Sequence, residues 1–289
     1  MNLEWRLLDL EKKDGVFNTA LDLSLLEEIG NGEKPTLVFS TWKPTVSIGN
    51  AQNYFLDVDK EACERNNVDV VRRKSGGQAV FLDDNYFVFS VVANPELFPK
   101  DLTYLRKEIC SLVIGMLQKF DVPVEFYQPD NIIVKDKNTF RTLGNSGQVI
   151  TSKAIIVHGS VRYALKNIDL MVDVLKINGE KLNSFENDIK IALTDIVAYN
   201  PGLDIKKLKK AFLEKFAEKY NATFTSESLK DEKRILEIGD ELKENLAGDC
   251  NYKSRGICYL FLNGQNLVPA LQKYLPTNTP STWRESVII

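Results

Sequence analysis

The chain has 289 residues, of which 44% are hydrophobic and 27% are charged, and its formal net charge is -3. This length suits one large domain, or a large and a small domain, with room for a substantial core. The weak negative charge argues against non-specific nucleic-acid binding, which draws on an excess of cations. No apolar run approaches the ~20 residues that span a bilayer, and the start lacks the layout of a signal peptide. We therefore expect neither nucleic acid nor membrane among the partners.

The cysteine pattern bears on compartment and metal content. Cys63, Cys110, Cys250 and Cys258 show no CxxC spacing, and the chain has a single histidine. A Cys/His zinc site is therefore disfavoured. Unclustered cysteines are typical of proteins in a reducing compartment, which predicts a cytoplasmic location.

Predicted strands and helices follow one another without a regular strand–helix–strand repeat. This order favours an α+β fold over an alternating α/β fold. Apolar spacing predicts helices over 17–29, 59–67, 101–120, 168–175, 203–220 and 226–245. The predicted strands cover 5–10, 36–40, 45–49, 68–73, 79–81, 86–92, 123–126, 131–134, 140–150 and 154–163.

The composition changes after Asn221, and the predicted helix over 226–245 is charged with a thin apolar stripe. A strand over 256–262 and a short helix over 265–275 are predicted beyond it. We therefore predict a main domain over residues 1–223 and a small C-terminal α/β accessory domain over residues 224–289.

The segment from Val70 to Phe81 is the most distinctive in the chain. An apolar strand leads into three cations and then into Ser75-Gly76-Gly77, before a second apolar strand begins. Glycines let a ligand approach the backbone closely, and successive N–H groups can form an anion-binding nest. Arg72 and Arg73 can each present a fork of donors to a phosphate or carboxylate. The alternative is an ordinary β-hairpin turn with solvated basic residues.

Seven segments, in a fixed order, resemble the lipoate–protein ligase family within the biotin/lipoate ligase and octanoyltransferase superfamily. Conserved order makes the resemblance stronger than any single short motif. The segments lie between residues 4 and 175. They are Phe17 to Asp22 (FNTALD), Trp42, Val46 to Asn53 (VSIGNAQN), Arg72 to Asp83 (RRKSGGQAVFLD), Asp130 to Val134 (DNIIV), Arg141 to Ser146 (RTLGNS) and His158-Gly159-Ser160.

The resemblance implies a fold and a reaction. The fold would be a mixed, largely antiparallel sheet flanked by helices, as in the biotin ligase catalytic domain. In the reaction, lipoate or octanoate attacks ATP to give an acyl-adenylate, with Mg²⁺ assisting. A lysine of a lipoyl carrier domain, from a 2-oxoacid dehydrogenase complex or the glycine cleavage H protein, then takes the acyl group.

The resemblance also implies a set of site residues. For Gly144-Asn145-Ser146 the alternative is a β-bulge, for Asp130 a turn cap, and for the lone His158 a satisfied structural group. Asp130 is implied as the magnesium ligand, and Arg141 and Lys153 are the predicted catalytic cations. The implied substrate- and nucleotide-binding residues are Trp42, Arg72, Arg73, Ser75, Gly76, Gly77, Gln78, Ala79, Val80, Asp83, Asp130, Asn131, Gly144, Asn145, Ser146, His158 and Gly159.

Three positions depart from the family pattern. Arg141 stands where the family has a lysine, Gln78 replaces a third glycine, and Leu82 replaces a histidine. These departures keep two alternatives open: an octanoyltransferase of the same fold, or a non-catalytic binding protein for acylated carriers. Such a transferase needs a nucleophilic cysteine, and residues 111–249 contain none. A biotin ligase fits the motifs less well.

Overall fold

A computed structural model describes residues 3–99, 104–127, 131–136, 139–177 and 179–246 of the chain. Its helices are α1 Gly15–Gly30, α2 Tyr54–Asp57, α3 Lys60–Arg65, α4 Leu105–Gln118, α5 Ile168–Val174, α6 Glu186–Ala192, α7 Ile205–Tyr220 and α8 Glu232–Glu244. Its strands are β1 Leu3–Lys13, β2 Thr36–Trp42, β3 Thr45–Ile48, β4 Asp69–Arg72, β5 Val80–Leu82, β6 Tyr86–Ala93, β7 Val124–Tyr127, β8 Asn131–Asp136, β9 Thr139–Ile150, β10 Ile155–Arg162, β11 Lys176–Ile177, β12 Glu180–Lys181 and β13 Ala222–Ser226.

Eight strands form one large sheet in the order β13-β1-β2-β6-β10-β9-β8-β7. The pairs β13/β1 and β1/β2 are parallel, and the other neighbours are antiparallel. A second sheet has the order β4-β3-β5. The predicted α+β class, with a mixed, largely antiparallel sheet and flanking helices, is confirmed.

One face of the large sheet carries the main core against α4 and α7. Alternation along β6 sends Phe87 and Phe89 to this face, where they contact Phe212 of α7. Helix α4 adds Ile109 and Val113, and the strands add the aliphatic side chains of Val91, Ile155, Val157 and Val161. This dense layer makes the sheet a rigid support for whatever its other face presents.

The other face of the large sheet is covered by α1 and the small sheet. Helix α1 begins at Asp14, whose side chain accepts a hydrogen bond from the Phe17 backbone N–H at 2.7 Å. Leu21 and Leu25 of α1 pack against Val92 and Ile156 of the large sheet. Towards the start of β6 and the end of β10, this face carries the polar residues Ser90, His158, Ser160 and Arg162, and there a pocket opens.

The predicted boundary between residues 223 and 224 falls inside β13, which pairs with β1. Beyond it, α8 packs on α1, and Ile235 and Ile238 join the core beside α1. The described residues up to 246 thus extend the large sheet and its helical layer. The accessory domain over 224–289 stays a prediction, and the strand at 256–262 and helix at 265–275 lie outside the described residues.

Within the described ranges, no helix has both the length and the apolar character needed to cross a membrane.

Candidate active site

The pocket lies between the large sheet, the small sheet and the N-terminal half of α1. Three neighbouring strands supply its floor through alternate residues that point to one face. Paired positions across β6 and β10 are Tyr86 with Arg162, Val88 with Ser160, and Ser90 with His158. On β9, Asn145 pairs with Ser160 and Gly147 with His158. All eight of these residues line the pocket.

One wall of the pocket is apolar. Trp42, Leu82, Tyr86 and Val88 are buried and form one hydrophobic cluster with Val71. The Trp42 indole N–H donates to Ser40 Oγ at 2.9 Å, which fixes the ring. Such a wall suits the hydrocarbon part of a ligand.

A hydrogen-bonded chain of three side chains stands at one end of the pocket. His158 Nδ1 lies 2.9 Å from Asp22 Oδ2, and His158 Nε2 lies 2.8 Å from Ser75 Oγ. With Asp22 ionised, Nδ1–H donates to the carboxylate and Nε2 accepts from the serine hydroxyl. Ser90 Oγ donates to the second Asp22 oxygen at 2.8 Å. Helix α1, β10 and the glycine loop are thereby fastened together.

Ser75, His158 and Asp22 are connected like a Ser-His-Asp catalytic triad. The burial of Ser75, however, argues that the three residues have a positioning role. Ser75 is 1% exposed and does not line the pocket. A methyl group on Gly147 would lie 2.9 Å from both Ser75 Oγ and His158 Nε2, so the strand covers the pair. A substrate carbonyl has no room to reach the serine oxygen, and the three residues instead hold the loop in place.

The two arginines of the glycine loop bind the protein's own backbone. Arg73 donates to the carbonyl oxygens of Ser47, Gly76 and Gln78 at 2.6–2.8 Å, and its Nε–H donates to Ser75 Oγ at 3.1 Å. Arg72 donates to the carbonyl oxygens of Gly49, Asn50, Gln52 and Leu246. Both guanidinium groups therefore hold the loop through protein oxygen atoms. The sequence predicts that they contact a ligand directly, and that role stays a prediction.

The glycine loop still presents donors. Among the described residues, no acceptor pairs with the backbone N–H groups of Gly76, Gly77 and Gln78. Gly77 has φ +91°, a conformation that glycine adopts without strain. The Gly77 carbonyl oxygen would lie 2.0 Å from a methyl group on Gly49, so residue 49 must also be a glycine. These N–H groups form the kind of nest that accepts an anionic oxygen.

Two buried side-chain oxygen atoms of α1 also lack hydrogen-bond partners at the pocket. Asn18 Oδ1 and Thr19 Oγ1 are buried and make no hydrogen bond within the described chain. Both residues line the pocket. Buried polar atoms are normally paired, so these atoms favour a site that a polar ligand or ordered water completes.

Arg162 supplies a buried cation at the opposite end from His158. It stands four residues further along β10, about 13 Å away at ~3.3 Å per residue. Its Nη1 donates to the carbonyl oxygens of Thr142 and Thr194, both at 2.9 Å, and its Nε–H donates to Tyr86 Oη at 3.2 Å. The sequence reasoning missed Arg162, although alternation from His158 places it on the same face.

Arg141 does not reach the pocket, because a β-bulge turns it to the other face of the sheet. Ile132 pairs with Gly144 but Ile133 pairs with Thr142, which leaves Leu143 as the extra residue. Arg141 therefore lies opposite Val134, on the side of α4 and α7. Its Nη2 donates to Tyr199 Oη at 2.9 Å. The bulge that was the alternative for this segment is present, and it removes the expected cation.

Lys153 also lies away from the pocket. It is exposed in the turn between β9 and β10, and its Cβ lies 3.8 Å from the point where a methyl group on Gly30 would stand. Gly30 ends α1, whereas the pocket borders the other half of that helix. The predicted roles of Arg141 and Lys153 stay untested, and the geometry favours neither.

The other predicted site residues divide into two groups. Asp83 accepts hydrogen bonds from Asn85 and Asn167 and holds a turn. Asp130, the predicted magnesium ligand, lies outside the described residues. Arg72, Ser75, Gly76, Asp83 and Gly144 do not line the pocket, whereas Trp42, Arg73, Gly77, Gln78, Ala79, Val80, Asn131, Asn145, Ser146, His158 and Gly159 do.

A family model described as the lipoyl protein ligase A/B catalytic domain matches residues 14–217. The chain belongs to this family. The resemblance inferred from the motifs is confirmed, and the pocket is formed within the matched residues.

The proteins that this chain resembles carry two kinds of name. The octanoyltransferase LipM of an Exiguobacterium species is 31% identical over 186 residues, which cover 58% of this chain and 67% of the relative. The bipartite lipoate–protein ligase of Thermoplasma acidophilum superposes with a TM-score of 0.69 at 20% identity, over 84% of this chain and 92% of that one. A lipoate-protein ligase A bound with ATP gives a TM-score of 0.67 at 20% identity, over 89% of this chain and 99% of that one. The two structural similarities establish the shared fold.

Thiols and metal ligands distinguish the possible chemistries in this family. Burial and the neighbouring Asp59 raise the pKa of the Cys63 thiol to about 12. Cys110 is buried on α4, and its thiol donates to Ser146 Oγ at 3.2 Å. Neither cysteine lines the pocket. The described residues hold no group of three or more side chains suited to a metal ion, and Cys250 and Cys258 lie outside them.

Proposed function

We propose that the protein is an ATP-dependent acyl-protein ligase. It activates a medium-chain acid such as lipoate or octanoate as the acyl-adenylate and passes the acyl group to a lysine of a lipoyl carrier domain. The family assignment supports the general reaction class, and the following features of the pocket favour activation by ATP.

The observation that carries the proposal is the composition of the pocket. An apolar wall around Trp42 stands beside unpaired backbone N–H groups at Gly77 and a buried cation at Arg162. Among the described residues, those that line the pocket include no thiol. Adenylation requires the positioning of anions and the balancing of their charge, and it needs no covalent protein group.

In the first step, a carboxylate oxygen forms a bond to the α-phosphorus of ATP while the bond to pyrophosphate breaks. In the second step, the carrier lysine amine attacks the acyl carbon, AMP leaves with the bonding electrons, and the amine loses a proton. The N–H groups of Gly77 and Gln78 would hold phosphate oxygens at the loop. The apolar wall would orient the acyl chain.

ATP and Mg²⁺ fit the described residues to different degrees. The open N–H groups of the glycine loop suit the phosphates of a nucleotide. The described residues offer no metal-binding cluster, and the predicted ligand Asp130 lies outside them. The steps above therefore rest on protein groups alone.

The test is acid-dependent exchange of labelled pyrophosphate into ATP, with octanoate and lipoate as the acids. The proposal predicts exchange with both the protein and an acid present, followed by acylation of a lipoyl domain lysine visible by mass spectrometry. Gly77→Val should abolish exchange, because a β-branched side chain at φ +91° distorts the loop. Wild-type protein that acylates the carrier from an acyl thioester, without ATP, would contradict the ligase.

The name of the LipM relative favours a second candidate, an octanoyltransferase. That reaction would pass through an acyl-thioester on a cysteine. A trapped octanoyl adduct on Cys250 or Cys258 after incubation with an octanoyl thioester would favour it. Binding of an acylated carrier without either reaction would favour the non-catalytic alternative.

A further inference from the structure

Gln78 gives the glycine loop a side chain at a position where the family pattern has a third glycine. Its backbone is held in place, because its carbonyl oxygen accepts a hydrogen bond from Arg73 Nη2 at 2.7 Å. The residue is half-buried and lines the pocket. A glycine at this position could offer a ligand only its backbone, whereas Gln78 adds a carboxamide group.

A relay of hydrogen bonds fixes the orientation of the Gln78 carboxamide. The backbone N–H of Gly49 can only donate, and it donates to Gln52 Oε1 at 2.8 Å. The Gln52 carboxamide therefore turns its Nε2 towards Gln78, whose Oε1 accepts at 3.2 Å. Side-chain oxygen and nitrogen atoms of glutamine are assigned from their partners, and here the assignment starts from an unambiguous backbone donor. Gln52 is 5% exposed, so its carboxamide is confined in this orientation.

The Nε2 atom of Gln78 keeps two N–H bonds that find no acceptor among the described residues. The backbone N–H groups of Gly77 and Gln78 are unpaired within the same part of the chain. Side-chain and backbone donors of one loop therefore border the same pocket. Such a set of donors selects a ligand oxygen with free lone pairs, and a negatively charged oxygen most strongly.

The surroundings of Gln78 favour a phosphate oxygen as the acceptor. Arg72 and Arg73 donate to backbone carbonyl oxygens of the protein, and Arg162 stands at the other end of the pocket. A phosphate at the glycine loop is therefore met by neutral N–H donors. Donors that are fixed before the ligand arrives stabilise a charged oxygen without having to reorganise.

We propose that Gln78 is a further catalytic residue, whose side-chain amide donates a hydrogen bond to an α-phosphate oxygen of the nucleotide. Gln52 is its positioning residue. The identity of the anion rests on the proposed function. When the acyl carboxylate approaches the α-phosphorus, two negative groups come together, and the Gln78 donors offset part of their repulsion.

The test compares AMP with adenosine, which lacks the phosphate, by calorimetric titration. Gln78→Met keeps the length of the side chain and removes its donors. It should lower the ratio of AMP affinity to adenosine affinity about 10- to 100-fold, the range for one hydrogen bond to a charged group. Gln78→Glu, which has the same shape but only acceptors, should lower it further. Gln118→Met replaces an exposed glutamine at the end of α4 and should leave the ratio unchanged.

The ratio of affinities separates phosphate recognition from structural damage, because a distorted pocket weakens both nucleosides. An unchanged ratio in Gln78→Met overturns the inference, as does a wild-type ratio near one. Gln52→Met should lower the ratio in the wild-type background and leave it nearly unchanged in the Gln78→Met background. Equal losses in both backgrounds would overturn the positioning role of Gln52.

The inference and the ligase proposal fail in different ways. A preference for AMP that depends on Gln78, without acid-dependent pyrophosphate exchange, would contradict the ligase and leave the phosphate contact standing. Equal exchange rates and equal KM for ATP in wild type and Gln78→Met would contradict the phosphate contact and leave the ligase standing.

Discussion

Because Gly147 has no side chain, Ser75 and His158 have room to form their hydrogen bond at the polar end of the pocket. The Ser75–His158 hydrogen bond lies directly under this glycine, and Asp22 completes the chain behind it. Ser75 belongs to the glycine loop, so the same three residues set the position of the N–H groups at Gly76 and Gly77. The hydrogen bonds of His158 on β10 and Asp22 on α1 therefore hold the loop in position.

Gly147→Ala is expected to displace either Ser75 or His158, because the new methyl group would lie 2.9 Å from each. Overpacking of this kind costs about 1–3 kcal/mol. At about 2–4 °C per kcal/mol for a unit of this size, the melting temperature should fall by several degrees. Gly202→Ala is the matched control, since a methyl group there meets nothing within 4 Å. Equal melting temperatures for the two variants would contradict the close packing at Gly147.

Cys63 and Cys110 are expected to resist alkylation in the native protein. Both are buried, and burial together with Asp59 raises the pKa of Cys63 to about 12. A thiol with so high a pKa stays protonated at pH 8, and the thiolate is the reactive form. Iodoacetamide followed by peptide mass spectrometry should label both residues only after unfolding. Rapid native labelling of Cys110 at pH 8 would revive it as a candidate nucleophile.

At the scale of elements, periodicity predicted most of what the structure contains. The predicted pair over 140–150 and 154–163 is β9 with β10, and the predicted helices over 17–29 and 203–220 are α1 and α7. Apolar spacing fixes these because one face of each element is buried. β13 escaped prediction, since an edge strand of five residues with mixed burial has little pattern.

The positions of the site residues were harder to predict than the elements that carry them. One extra residue, Leu143, reverses the face of every residue on the N-terminal side of the bulge, including Arg141. A bulge leaves no reliable mark in a single sequence. Arg162 could have been found, because an arginine two residues beyond Ser160 on a strand shares the face of His158.

Helix α8 connects the C-terminal region to the rest of the described chain, because it packs on α1. Ile238 is 4% exposed and packs with the core around α1, whereas Leu236 on the same helix is 59% exposed. Close approach of the helices is visible at Gly239, where a methyl group would lie 3.1 Å from Val16 Cγ1. We therefore expect the described residues through 246 to unfold as one cooperative unit.

Ile238→Ala is expected to lower the stability of the whole unit by about 2–4 kcal/mol, through lost burial and a residual cavity. Leu236→Ala should change it by less than about 0.5 kcal/mol. Urea unfolding followed by both circular dichroism and tryptophan fluorescence should give one coincident transition, shifted only for Ile238→Ala. Two transitions, with only the first shifted, would instead support an independent domain over 224–289.

At the scale of the whole molecule, the pocket joins elements that are distant in sequence. Its lining includes residues of α1, α5, the small sheet and five strands of the large sheet, from Asn18 to Met171. A ligand that enters it contacts both sheets at once. Binding should therefore stabilise the cooperative unit as a whole, by mass action on the folded state.

A saturating acyl acid is accordingly expected to raise the melting temperature. At a concentration one hundred times Kd the gain is about 2.7 kcal/mol, which corresponds to roughly 5–10 °C for a unit of this size. Octanoate and lipoate should give the full shift. Butanoate at the same concentration should bind more weakly and give a smaller shift, because it covers little of the apolar wall formed by Trp42, Leu82, Tyr86 and Val88. Differential scanning fluorimetry across the acids, with octanamide at matched concentration, provides the measurement. Equal shifts from butanoate and octanoate would mean that the apolar wall does not contact the acyl chain, and the pocket would then belong to a small polar ligand.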